Sequence, residues 1–219
     1  MGLIWFEPAL LLFTLGYMLQ HAGTFILVKR IKELRSVAGL SLDTQVLYLI
    51  GALTKFTWIS SSRLIKFPLV WIELGISVVQ GFYLLFLFYK FKYTLCEIKP
   101  RIGLKSLLII CTMAAFFFQQ DKKEFTYPFL VNLTLFLEST AMIPQISIFK
   151  QMTERTEYRL GLFIFLFGLS RVVRLFCWII MFFENEGFFL LVLADILHTI
   201  ILSDYMYMYL KGGQDFLPL

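Results

Sequence analysis

A chain of 219 residues that is 59% hydrophobic, 18% aromatic and only 16% charged is built for a lipid environment, which excludes a soluble domain. Its net charge of +5 reflects basic loops and needs no nucleic-acid partner. Cys96, Cys111 and Cys177 lack CxxC or framework spacing, so neither disulfides nor a zinc site is suggested.

The apolar residues fall in seven blocks, at about 8–28, 44–60, 67–89, 103–119, 127–149, 160–183 and 187–210. About 20 residues at 1.5 Å each cross roughly 30 Å of hydrocarbon. The prediction is an all-α membrane protein of seven transmembrane helices, forming a single polytopic domain over 1–219. The first block has no basic n-region or small-residue cleavage site and reads as a retained span. Met1-Gly2 opens like a myristoylation signal, but Phe6 stands where Ser or Thr is wanted.

His21 lies beside Gln20 in the first span, as a polar pair suited to a helix interface. In the loop that follows, Ser41, Asp43 or Thr44 can cap the second helix. The second span buries Lys55, expected either to reach the lumenal rim or to line a cavity. Glu73 falls near the lumenal end of the third span, where a solvated position is expected, and that span stops at Lys90-Phe91-Lys92. The fourth reads as a lipid-facing or bracing helix, followed by a charge-balanced loop at Gln119–Glu124.

The fifth span holds Asn132, Glu138 and Pro144-Gln145. Asn132-Leu133-Thr134 matches the glycosylation pattern, but inside a span. Glu138 is near mid-membrane and so a functional candidate, or else a counter-ion for an intramembrane arginine. Pro144 predicts a kink near the cytosolic end. The sixth span carries Arg171 and Arg174, which share a helix face at i, i+3. Each costs roughly 2.5–3.5 kcal/mol on insertion scales unless it meets protein, water or an anion. The seventh span carries Asp195 and His198, one turn apart, and Asp204 near its cytosolic end.

Outside the spans, 13 basic residues fall on one side (the loops around 29–35, 90–105 and 150–159, and Lys211). Arg63, Lys66, Lys122 and Lys123 fall on the other. The positive-inside rule places the N-terminus in the lumen and the C-terminus in the cytosol. Within the membrane, Lys55, Arg171 and Arg174 stand against Glu138, Asp195 and Asp204, with Glu73 marginal. A faint repeat is also visible: Gly51, Lys55 and Trp58-Ile59 echo Gly168, Arg171 and Trp178-Ile179. Three spans, a linker span and three more would make two parallel triple-helix bundles with a ligand site between them.

Several stretches in order resemble the ER lumen protein retaining receptor family, the KDEL receptors. They are Arg35-Ser36-x-Ala38-Gly39-Leu40-Ser41 with Gln45; Lys90-Phe91-Lys92; Leu137-Glu138-Ser139 with Ala141 and Ile143-Pro144-Gln145; Gly168-Leu169-Ser170-Arg171 with Trp178; Glu186-Gly187-Phe188-Phe189; and Ser203-Asp204-Tyr205-Met206-Tyr207. Pro144-Gln145 also fits the wider PQ-loop group that includes the SWEET transporters. The resemblance implies seven helices and a lumen-open cavity for the C-terminal Lys-Asp-Glu-Leu-type tails of escaped ER proteins. It implies binding in the acidic Golgi and release in the neutral ER.

By the same resemblance, Arg171, Trp178, Glu138 and Asp204 match family positions, and Lys55 stands where the family has a ligand-binding Arg. Lys55 keeps the charge and loses the bidentate fork. Gln20 takes the place of the family's first-span His, with His21 one position away. The chain departs from the pattern at Phe13, Trp58, Ser170, Arg174, Cys177 and Met181, and its tail has Lys211 and Asp215 in place of a lysine-rich coat-binding end. Strict recognition of Lys-Asp-Glu-Leu does not transfer with the fold.

The leading expectation is a retrieval receptor of the ER and Golgi membranes, with Lys55, Arg171, Arg174, Trp178 and Glu138 binding an acidic C-terminal peptide. His21, Asp195, His198 and Asp204 are candidates for a pH switch or for trafficking. The expected partners are lumenal signal peptides, a cytosolic vesicle coat and the lipid bilayer. The alternatives are a PQ-loop transporter of a small anionic or zwitterionic solute and a ligand-free trafficking scaffold. Without a nucleophile–base pair, metal cluster or phosphate loop, neither an enzyme nor a cofactor is expected.

Overall fold

The computed structural model describes residues 6–60, 68–95, 98, 100–118, 126–151, 158–183 and 189–211. Its helices are α1 (Phe6–Leu34), α2 (Leu42–Ser60), α3 (Pro68–Lys90), α4 (Leu104–Phe117), α5 (Thr126–Thr140), α6 (Ile143–Gln151), α7 (Tyr158–Phe183) and α8 (Phe189–Lys211). With α5 and α6 counted as one broken span, the seven expected helices are present. No strand occurs among the described residues. Leu11–Leu34, Pro68–Lys90, Tyr127–Gln151 and Tyr158–Ile180 are long and apolar enough to cross a membrane. The 14 residues of α4 span only about 21 Å.

The helices form two compact units: residues 1–34 with 153–219, and residues 35–152. These cut across the consecutive triplets expected from chain order, because α1 groups with α7 and α8.

In the first unit α7 packs against both α1 and α8. Gly16 and Gly23, two turns apart on α1, let the helices approach closely. A Cβ at Gly16 would stand 2.5 Å from Arg174 Cγ, and one at Gly23 would stand 3.2 Å from the Phe167 ring. Gly168 is equally tight, with Met206 Sδ 2.5 Å from its would-be Cβ. At one end of the unit, Arg159 pairs with Glu33, tying the start of α7 to the end of α1.

In the second unit α2 is central, packing on α3, α4, α5 and α6. Its core joins Leu47 of α2, Leu107 and Cys111 of α4, and Leu137 and Ala141 beside the break in the fifth span. That break falls at Ala141-Met142, just ahead of the predicted kink residue. Pro144 therefore sits in the first turn of α6, where its missing N–H costs no helical bond.

The neighbouring Gln145 has a second task. Its fully buried amide accepts from Ser41 N (2.8 Å) and donates to Gly39 O (2.8 Å), clamping the loop before α2. Gly39 has φ 75°, a left-handed conformation that favours glycine. Ser41 caps α2, accepting from Thr44 N at 3.2 Å. Asp43, another candidate for that role, instead accepts from Leu104 N (3.0 Å) at the start of α4. At the other end of α4, Asn132 donates to Phe118 O (3.1 Å). Asn132 is thus a buried brace inside the unit.

Candidate functional site

In the first unit, α7 brings Arg171 and Arg174 to the interior with 4% and 2% exposure. Arg171 Nη1 donates to Asp195 Oδ1 of α8 at 3.2 Å, with both side chains buried. Arg174 meets neutral groups on α1: Nη2 donates to Gln20 Oε1 (2.9 Å), and the guanidinium lies 4.5 Å from the Tyr17 ring centroid. Cation–π contact with a desolvated guanidinium contributes about 2 kcal/mol. Tyr17 packs on Phe13 at 4.7 Å and Phe13 on Trp178 at 6.2 Å, both edge-on. An aromatic path therefore runs from Trp178 back to Arg174. Phe13, where the family resemblance would place an arginine, is a link in that path.

His198, fully buried, sits one turn beyond Asp195 on α8, and His21 follows Gln20 on α1. Asp204 falls within α8, but its side chain lies outside the described residues. So does the side chain of Met181. Arg63, Lys66, Lys122, Lys123, Cys96, the Glu186–Phe188 stretch and Asp215 also lie outside the described residues.

In the second unit, Lys55 Nζ bonds Glu73 Oε2 at 2.7 Å. Ser77 donates to the other carboxylate oxygen at 3.0 Å. The expectation of a solvated Glu73 is therefore corrected: its exposure is 6%. Lys55 thus reaches a carboxylate on the next span. Lys55 is five residues before the end of α2 and Glu73 five after the start of α3, the helix ends that face each other in the chain. That spacing permits the pair without fixing it.

Glu138 of α5 faces α2, where its Cγ is 3.6 Å from a Cβ built at Gly51. Above it, Trp58 Nε1 donates to Thr134 Oγ1 (3.2 Å), and Thr134 bonds Thr54 Oγ1 (3.0 Å). This polar ladder between α2 and α5 was missed from sequence, because Thr at single positions in a span carries no pattern. Among the described residues no three potential ligands cluster as a metal site.

These features define a helical, polytopic membrane protein whose interior stores paired cations and carboxylates. Its relatives narrow the class. The chain belongs to the ER lumen protein retaining receptor family, whose model matches residues 36–181. It is 27% identical to the ER lumen protein-retaining receptor of Dictyostelium discoideum over 211 residues, covering 90% of this chain and 92% of the relative. It is 29% identical to ER lumen protein-retaining receptor 2 of Bos taurus, covering 91% and 95%. The Drosophila melanogaster receptor is 25% identical, again covering 91% and 95%. The family's name describes a receptor, not an enzyme.

Proposed function

We propose that this protein is a retrieval receptor of the ER and Golgi membranes that binds acidic C-terminal signals of escaped lumenal proteins. The observation that carries the reading is the buried pair of guanidiniums on α7, with family membership beside it. A peptide ending in a carboxylate and bearing acidic side chains is matched by charge-assisted hydrogen bonds from Arg171, Arg174 and Lys55. Trp178 and Glu138 complete the proposed ligand set.

Acid favours binding in this reading, because a proton on any of His21, His198, Asp195, Glu138 or Asp204 makes the interior more positive. The N-terminus is lumenal and the C-terminus cytosolic, where a coat would engage the protein. The repeat of three spans, a linker and three spans belongs to the same proposal as a pattern of chain order, although α1 packs with α7. It is supported by a recurrence: in each half, a cation of the second span pairs with a carboxylate of the third, Lys55 with Glu73 and Arg171 with Asp195.

The test is a titration of the protein in nanodiscs with C-terminal tetrapeptides of the host's ER proteins, at acidic and neutral pH. Binding at acidic pH that is lost in Arg171→Ala is expected, and no binding to any of them overturns the reading. The Gln145 clamp and the break before Pro144 favour a second reading, a PQ-loop-type transporter of a small anionic or zwitterionic solute. Solute flux in proteoliposomes, abolished by Arg171→Ala, would support that reading instead.

A further inference from the structure

Arg171 is already occupied. Its guanidinium is buried against the Asp195 carboxylate, the same chemical group that a peptide signal would offer it. We propose that Asp195 is a built-in competitor: it holds Arg171 in the ligand-free protein, and an incoming carboxylate binds by taking its place. This rests on the reading that Arg171 receives the ligand's carboxylate, and it adds the residue that sets how tightly.

The geometry suits exchange. The Nη1–Oδ1 contact at 3.2 Å is longer than the roughly 2.7–2.9 Å of a tight charge-assisted bond. Lys55 and Glu73 meet at 2.7 Å, with Ser77 on the second carboxylate oxygen. A guanidinium carries five donors in a planar fork, and a carboxylate free to enter squarely can engage two of them. An aspartate anchored on α8 reaches Arg171 from a fixed backbone position. The ligand therefore gains what the internal partner gives up, and net affinity is the difference between two similar interactions.

Around Asp195 stand Arg171 and Cys177 on α7, with His198 a turn away on α8. The hydroxyl of Thr199 donates to the Asp195 backbone carbonyl (2.7 Å) and makes no demand on its carboxylate. Removing the competitor's charge while keeping its shape should leave Arg171 to the ligand. Coupling between sites typically amounts to about 5–150-fold in affinity, so roughly tenfold tightening is expected.

The experiment uses the full chain in nanodiscs and the variants Asp195→Asn and Arg171→Gln/Asp195→Asn. Each is titrated with the tetrapeptides, and each is melted in sodium acetate and in sodium chloride at equal ionic strength. Asp195→Asn should bind peptide about tenfold more tightly than wild type. Acetate should raise its melting temperature, with no such rise in wild type or the double variant. Wild-type binding with no tightening in Asp195→Asn overturns the proposal. So does an acetate response equal in wild type and Asp195→Asn. If no protein binds peptide, the receptor reading fails and the acetate comparison alone decides the competitor role. If Asp195→Asn folds only when purified in acetate, the missing carboxylate has been replaced from solution, which supports the proposal. If acetate fails to rescue it, the proposal falls.

Discussion

The two compact units solve one problem in different ways. In residues 35–152 Lys55 meets Glu73, whose two oxygens accept from Lys55 and Ser77. In the unit of α1, α7 and α8, two guanidiniums stand one turn apart, and their partners differ in kind. Arg171 has a carboxylate at a longer distance, while Arg174 rests on an amide oxygen and an aromatic face. The closer contact, with Ser77 on the second oxygen, is the tighter of the two pairs. Under the proposed function, the longer contact beside a second guanidinium is the one that an anion would exchange. The same residue classes thus form a shorter ion pair in one unit and a longer one in the other.

The comparison breaks most readily at Glu73. Glu73→Ala leaves the Lys55 ammonium buried beside the lost partner and should destabilise by about 3–5 kcal/mol. Lys55→Met/Glu73→Leu should be near neutral, because both charges leave together. Unfolding of the detergent-solubilised protein would show both, and a harmless Glu73→Ala would remove the pair from the account. Gln145→Leu comes next. Ser41 N and Gly39 O each lose their amide partner, at about 1–3 kcal/mol for a buried group left unsatisfied. Protease cleavage within residues 35–41 should accelerate if the clamp holds the loop.

Gly16→Ala sharpens the comparison from the other unit. The new methyl would meet the stem of Arg174 at 2.5 Å, so a cost of about 1–3 kcal/mol is expected from overpacking. Peptide or anion affinity should change with it, since the guanidinium is displaced from Tyr17. The corresponding change in the second unit, Gly51→Ala, meets Glu138 Cγ at an ordinary 3.6 Å and should be mild. The smallest effect is assigned to Thr134→Val, which removes a hydrogen bond from Trp58 at about 0.5–1.5 kcal/mol. Trp58 fluorescence should shift, with little change in ligand affinity.

Part of this was legible in the chain alone. Seven apolar blocks of about span length can bury their backbone polar groups only as helices, so element type and order followed from hydropathy. The two arginines on one face followed from the 3.6-residue period, and the family from ordered motifs such as Leu137-Glu138-Ser139.

Partner choice lay beyond the sequence. Glu138 read as the counter-ion of Arg171 or Arg174, yet Arg171 meets Asp195, and Glu73 looked solvated. Which carboxylate meets which cation depends on helix rotation and depth, and these are set by close approaches such as Gly16 on Arg174. Asp43 shows the same limit, since a capping residue read against its own helix serves another one 61 residues away. Local pattern fixes what a helix is and which face is polar. Only tertiary structure brings Asp195 to Arg171, because a buried ion pair joins residues whose proximity no local interaction encodes.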